Sequence, residues 1–148
     1  MDHKTFLSSL SPDEKERLTT RSDAAGLRHL CGHLAVLCVF GALIVARVPF
    51  WPLLLVPQGI VLVFLFTLQH ECTHKTPFAS ERLNEWVGHA CGVVLMQPFL
   101  WFRYFHFAHH RFTNDPRRDP ECAGAEKPET WRDFVWHLST LGYWRDKL

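Results

Sequence analysis

Residues 30–69 read LCGHLAVLCVFGALIVARVPFWPLLLVPQGIVLVFLFTLQ, forty residues with one formal charge, Arg47. The other 30 charged residues lie in the remaining 108 positions. A mean hydropathy of -0.06 therefore averages two unlike materials. Split at Arg47, the stretch gives apolar segments at 30–46 and 48–69. As helices these measure roughly 25 and 33 Å at about 1.5 Å per residue. A hydrocarbon core about 30 Å thick admits both, the first by extension into 24–27. A core helix of a soluble protein shows a polar face and neither segment does, which sets a transmembrane hairpin above the alternative of a buried soluble one. The run begins some thirty residues in with no small-residue cleavage pattern after it, unlike a cleaved signal peptide.

Working outward, 148 residues suit a single domain. With 47% hydrophobic and 21% charged residues the chain is neither disordered nor collagen-like. A net charge of +1 gives no electrostatic case for nucleic acid. Five cysteines, Cys31, Cys38, Cys72, Cys91 and Cys122, are odd in number and lack CxxC spacing. They read as small buried hydrophobes in a reducing compartment.

Residues 1–29 form a polar N-terminal segment. Ser11-Pro12-Asp13-Glu14 is a helix start, with Ser11 as N-cap and Pro12 in the first helical position, and predicts a short helix to about Thr20. Lys4, Lys15, Arg17, Arg21 and Arg28 precede the apolar stretch. Lys75, Arg82, Arg103, Arg111, Arg117 and Arg118 follow it, whereas the intervening turn holds Arg47 alone. The positive-inside rule puts both ends in the cytoplasm and the turn at 47–51 outside. Residues 85–102 are apolar but interrupted by His89, Gln97 and Pro98, and their aromatics suit a helix at headgroup level. Residues 116–128 read as a charged loop, and 131–144 as a second interfacial or docking helix.

Ten histidines are concentrated in two places. His70-Glu71-Cys72-Thr73-His74 places an i, i+4 pair on one helical face, at a separation that lets two imidazoles share a metal. His106-Phe107-Ala108-His109-His110 adds i, i+3 and i+4 histidines. A second HxxxH, His29 and His33, has no cluster beside it and reads as interfacial or packing. His3, His89 and His137 are singletons. HECTH also satisfies H-E-x-x-H, the zinc protease motif with Glu71 as general base. A catalytic zinc takes about three protein ligands and leaves the second cluster surplus. Five imidazoles in two clusters fit a pair of metals better, and imidazole suits iron as well as zinc. Two six-coordinate irons offer about twelve positions, so five histidines are too few for both.

The stretch His70-Glu71-Cys72-Thr73-His74-Lys75-Thr76-Pro77-Phe78 resembles the first histidine box of membrane fatty acid desaturases. Arg103-Tyr104-Phe105-His106-Phe107-Ala108-His109-His110-Arg111-Phe112-Thr113-Asn114-Asp115-Pro116 resembles the second, followed by the Arg118-Asp119-Pro120-Glu121 of bacterial members. The resemblance covers 30–148 and extends to the superfamily's lipid and carotenoid hydroxylases and ketolases. It implies an all-α integral membrane protein, with one hairpin (spans about 30–46 and 50–69) and cytosolic or interfacial helices bearing histidine boxes. It implies His70, His74, His106, His109 and His110 as ligands of a di-iron centre that takes O2 and two external electrons to desaturate an acyl chain. Glu71, Asn114 and Asp115 are candidates to orient imidazoles. Arg111, Arg117 and Arg118 are candidates to receive an electron donor such as ferredoxin or cytochrome b5. A third box after a second hairpin belongs to the family pattern and is not in these 148 residues. The chain by itself is therefore expected to hold an incomplete ligand set.

Overall fold

The computed structural model describes residues 2–122 and 128–145, and among these all regular structure is helical. The chain divides into two compact units, one ending at Tyr104 and the other starting at Phe105.

In the first unit, α1 (His3–Ser9) is capped by Asp2, which accepts from the Thr5 N–H. Helix α2 (Pro12–Thr19) has the expected start: Ser11 and Glu14 bond each other's backbone in a complete capping box. Helix α3 (Asp23–Val45) begins seven residues before the apolar run because Ser22 caps it and Asp23 occupies the first turn. A turn and a short 3-10 segment (Trp51–Leu54) lead into α4 (Leu55–Thr73), which carries the first histidine cluster in its last turn. Helix α5 (Glu81–Val94) follows, and then α6 (Phe99–Phe112). The stretch 85–102, expected as one interfacial helix, is thus two helices. The break has a local cause: Met96 adopts a left-handed φ of 54° and the Gln97 N–H turns back to the Gly92 carbonyl at 2.8 Å, the Schellman closure.

Burial is confined to one end of this unit. Cys72, Phe78 and Phe99 form the core, with Leu30, Leu68, Leu83 and Val87 packed around it. Two close approaches make it possible. A Cβ on Gly26 would stand 2.3 Å from the Pro77 carbonyl oxygen, and one on Gly88 would stand 2.3 Å from the Phe99 ring. Asn84 donates both amide hydrogens, to the carbonyls of Phe78 at 3.0 Å and Ser80 at 2.8 Å, and so fixes the segment between α4 and α5. The Ser80 N–H in turn donates to Asp23 at 2.8 Å, tying that segment to the start of α3.

Away from this end, α3 has no buried residue and α4 has none before Leu65. Val39, Val45, Val56 and Val63 are each more than half exposed. A soluble hairpin would hide such side chains. Two helical stretches ending at Val45 and Thr73 are long and apolar enough to cross a membrane, and their exposed apolar faces suit contact with lipid. Cysteine burial is narrower than expected. Cys72 and Cys91 are buried, whereas Cys31 and Cys38 are exposed on α3, so the reading as buried hydrophobes fails for those two.

The second unit comprises the rest of α6, a tight turn through Cys122, and the helices α7 (Trp131–Leu138) and α8 (Leu141–Arg145). The helix expected over 131–144 is broken at Thr140, whose φ is 56°, although it begins with a Thr130–Asp133 capping box. The charged loop expected over 116–128 is turn as far as Cys122, and 123–127 lie outside the described residues.

Candidate metal centre

Each histidine cluster sits in the last turns of a helix. His70 lies in the final turn of α4 and His74 is its C-cap. The helix closes there because Lys75 takes the left-handed conformation (φ 58°), the Thr76 N–H reaching the Glu71 carbonyl and the Lys75 N–H that of Cys72. The two imidazoles stand side by side, ring centroids 5.1 Å apart, with a ring nitrogen of each within 4.8 Å of the other's. The His70 ring is also flanked by Phe66 and Phe102, each at 6.4 Å between centroids.

The second cluster lies wholly beyond Phe105. His106 and His110 direct their Nε2 atoms at each other across 2.9 Å, with ring centroids 4.4 Å apart. That separation is the length of a ring N–H···N hydrogen bond between the two imidazoles, and it brings two potential ligand nitrogens together at one place.

His109 faces another way. Its Nδ1 meets both oxygens of Asp119, at 2.9 and 3.1 Å, with a Glu121 oxygen at 3.4 Å. A carboxylate only accepts, so Nδ1 is the protonated nitrogen of this ring. Asp119 also accepts from the backbone N–H groups of Asn114 at 2.8 Å and Glu121 at 2.9 Å. Burial alone pushes the Asp119 carboxyl up, but the bonds from His109 and the two backbone amides outweigh it and hold it at about 2. The Asp119 bond in turn raises His109 above the ordinary histidine value.

The five sequence-predicted ligands thus appear as a His70–His74 pair in one unit, and in the other a His106–His110 pair with His109 beside it. The expected orienting groups are employed differently. Glu71 accepts from the Thr76 hydroxyl, and Asp115 accepts from the Arg118 side chain at 2.7 Å and the Arg117 N–H at 3.0 Å. Asn114 contributes its backbone to Asp119. Sequence reasoning quoted Asp119 within a motif and gave it no role. No local signal marks it, since Asp115 in the same turn is an equally placed carboxylate. His29 and His33 belong to neither cluster. Together with Phe64 and Leu68 they line a groove of about 730 Å³, where His29 is exposed and His33 half-buried.

Two long apolar helices with exposed faces, histidine clusters near the ends of two helices and a carboxylate-held imidazole are the features of a membrane protein with a candidate metal site. Comparison narrows the class. The model of the fatty acid desaturase family matches residues 46–147, and the chain belongs to that family. The chain is 27% identical over 106 residues to the sn-1 oleoyl-lipid 12-desaturase of Arthrospira platensis, covering 63% of this chain and 30% of that protein. It is 30% identical over 110 residues to the Delta(12) fatty acid desaturase of Mortierella isabellina, covering 66% of this chain and 27% of that protein. The sn-1 acyl-lipid omega-3 desaturase (ferredoxin) of a Synechocystis strain is 25% identical over 95 residues, 64% of this chain and 26% of its own length. The chain thus spans about 30% or less of these relatives. No solved structure matches it.

Proposed function

We propose that this chain supplies the membrane hairpin and the first two histidine boxes of an O2-dependent, di-iron fatty acid desaturase acting on an acyl chain of a membrane lipid. The observation that carries the reading is that both histidine clusters, the paired His70 and His74 and the paired His106 and His110, fall within the region matched by the family. His70, His74, His106, His109 and His110 are the proposed ligands on this chain. When bound, the iron centre would combine O2 with two hydrogens from adjacent acyl carbons, two external electrons and two protons, giving a double bond and two waters. An alkyl C–H has no acidity that a side chain can use, so this oxidising power has to come from the cofactor. The chain's own part is to hold neutral imidazoles in place and to keep water from the site through the apolar surroundings of His70.

With α3 and α4 as an antiparallel pair of spans, the polar segments before and after them lie on one side of the membrane. The basic residues assign that side to the cytoplasm. Arg111, Arg117 and Arg118 are exposed there and offer a landing for an acidic electron donor such as ferredoxin or cytochrome b5. The zinc protease reading loses support, because the family whose model covers His70–His74 is that of fatty acid desaturases. The test is metal analysis of the membrane-extracted protein together with lipid analysis of the expressing cells. For this chain, whose five histidines are too few for the complete centre, the expected result is iron that is lost on His70→Ala and His110→Ala, with a new acyl double bond only where a chain bearing the third box is supplied as well. Inserted oxygen would assign the superfamily's hydroxylase branch instead, and zinc with no lipid product would refute the proposal.

A further inference from the structure

We infer that Asp119 is the positioning residue of the second histidine cluster: it locks His109 in the Nδ1–H form and so reserves Nε2 for a metal. This rests on the reading of His109 as a ligand. Asp119 is 1% exposed, and its oxygens collect His109 Nδ1 at 2.9 and 3.1 Å, the Glu121 N–H at 2.9 Å, the Asn114 N–H at 2.8 Å and Cys122 Sγ at 3.6 Å. One oxygen takes the Glu121 amide and the other the Asn114 amide. The carboxylate is thus oriented by the backbone before it meets the imidazole, which fixes both the tautomer and the rotation of the ring.

The same division of labour makes the site specific for a carboxylate. An Asn side chain at 119 must place its NH2 against one of the two backbone N–H groups whichever way it turns. Its NH2 would also be able to donate to His109 Nδ1, which favours the opposite tautomer and protonates the nitrogen meant for metal. Asp115 is the control. It braces the same turn, its carboxylate accepting from Arg117 and Arg118 rather than from His109.

The test uses the full chain in lipid bilayers, labelled with 15N-histidine, with His109 assigned by difference against His109→Gln, and titrated anaerobically with ferrous iron alone. The metal-free wild type is expected to show His109 protonated at Nδ1, and Asp119→Asn to lose that signature. Iron affinity should fall about 10–100-fold in Asp119→Asn and less than about threefold in Asp115→Asn. An unchanged His109 tautomer in Asp119→Asn, or an equal loss of affinity in Asp115→Asn, would overturn the inference. If the wild type takes up no iron, the metal reading fails separately, and the His109 spectrum alone decides the role of Asp119.

Discussion

The contact between Gly88 and Phe99 sets how closely α5 and α6 approach, and it yields a prediction with a sign opposite to ordinary helix propensity. A Cβ at position 88 would lie 2.3, 2.5 and 2.6 Å from three atoms of the Phe99 ring. Non-bonded carbons rest at about 3.5–4.0 Å, so the ring would have to retreat by more than an ångström. It has little room, being 1% exposed, with the Arg103 guanidinium 4.6 Å from its centroid and the His89 ring 5.2 Å away. Overpacking of this kind costs about 1–3 kcal/mol, while alanine regains about 0.8–1 kcal/mol over glycine in a helix. Gly88→Ala should therefore destabilise by up to about 2 kcal/mol, which lowers a thermal midpoint by up to roughly 6 °C for a chain of this size.

Gly32 supplies the internal comparison. A Cβ there meets nothing within 4 Å, so Gly32→Ala should raise stability by about 0.4–1 kcal/mol. Far-UV circular dichroism of the detergent-solubilised protein during heating reads both variants. Phe99→Leu makes space, and in combination with Gly88→Ala it should show a favourable coupling of about 0.5–3 kcal/mol. A Gly88→Ala midpoint at or above wild type, or strict additivity in the double variant, would refute the packing argument.

Asn84→Ala strands two carbonyls that now receive its amide; a loss of about 2–4 kcal/mol is expected, with Asn84→Asp worse because it presents acceptors to acceptors, both read as thermal midpoints. Met96 is 92% exposed and holds φ 54°, so Met96→Gly should stabilise by about 1 kcal/mol; a fall in midpoint would show that its side chain has a partner. Val63, midway along the second apolar helix and 64% exposed, should face lipid. Val63→Arg is expected to oppose insertion by about 2.5–3.5 kcal/mol, seen as a chain released from membranes by alkaline extraction, and full retention would argue against this helix as a span.

The two long apolar helices, the Ser11 helix start and the two histidine pairs were legible in the sequence because each rests on local chemistry: an uncharged run, a capping box, an i, i+4 spacing. Helix ends were not legible. The helices closing at His74, Leu95 and Ser139 do so through Lys75, Met96 and Thr140 in the left-handed conformation, where glycine is the residue that advertises such a stop. The break at 95–98 was hidden for the same reason, and its stabilising bond, from the Gln69 amide to the Gln97 carbonyl at 2.9 Å, spans 28 residues. Asp119 was obscured in another way. Nothing local distinguishes it from Asp115, four residues earlier and engaged by Arg118. Only the course of the turn decides which of the two carboxylates reaches His109.

Both clusters occupy helix C-termini, and this placement bears on how a cation would be held. Neutral imidazoles bring no charge, so a metal bound by them alone keeps its full positive charge in a partly desolvated place, which is costly. Two features of this chain offset that cost. The C-terminal end of a helix carries a partial negative charge of roughly half an electron, worth typically about 0.3–1 kcal/mol to a nearby cation. His70 and His74 close α4, and His109 and His110 stand in the last turn of α6. The buried Asp119 carboxylate adds a whole negative charge one imidazole away from the proposed ligand nitrogen. The Schellman closure at Lys75 thereby does more than end a helix. It stops α4 at His74, so that the second histidine of the pair lies at the negative pole and the chain turns away immediately behind it. Extending α4 by another turn would carry that pole past His74 and weaken the field at the pair. The left-handed Lys75 is thus as much a part of the candidate centre as the histidine it follows.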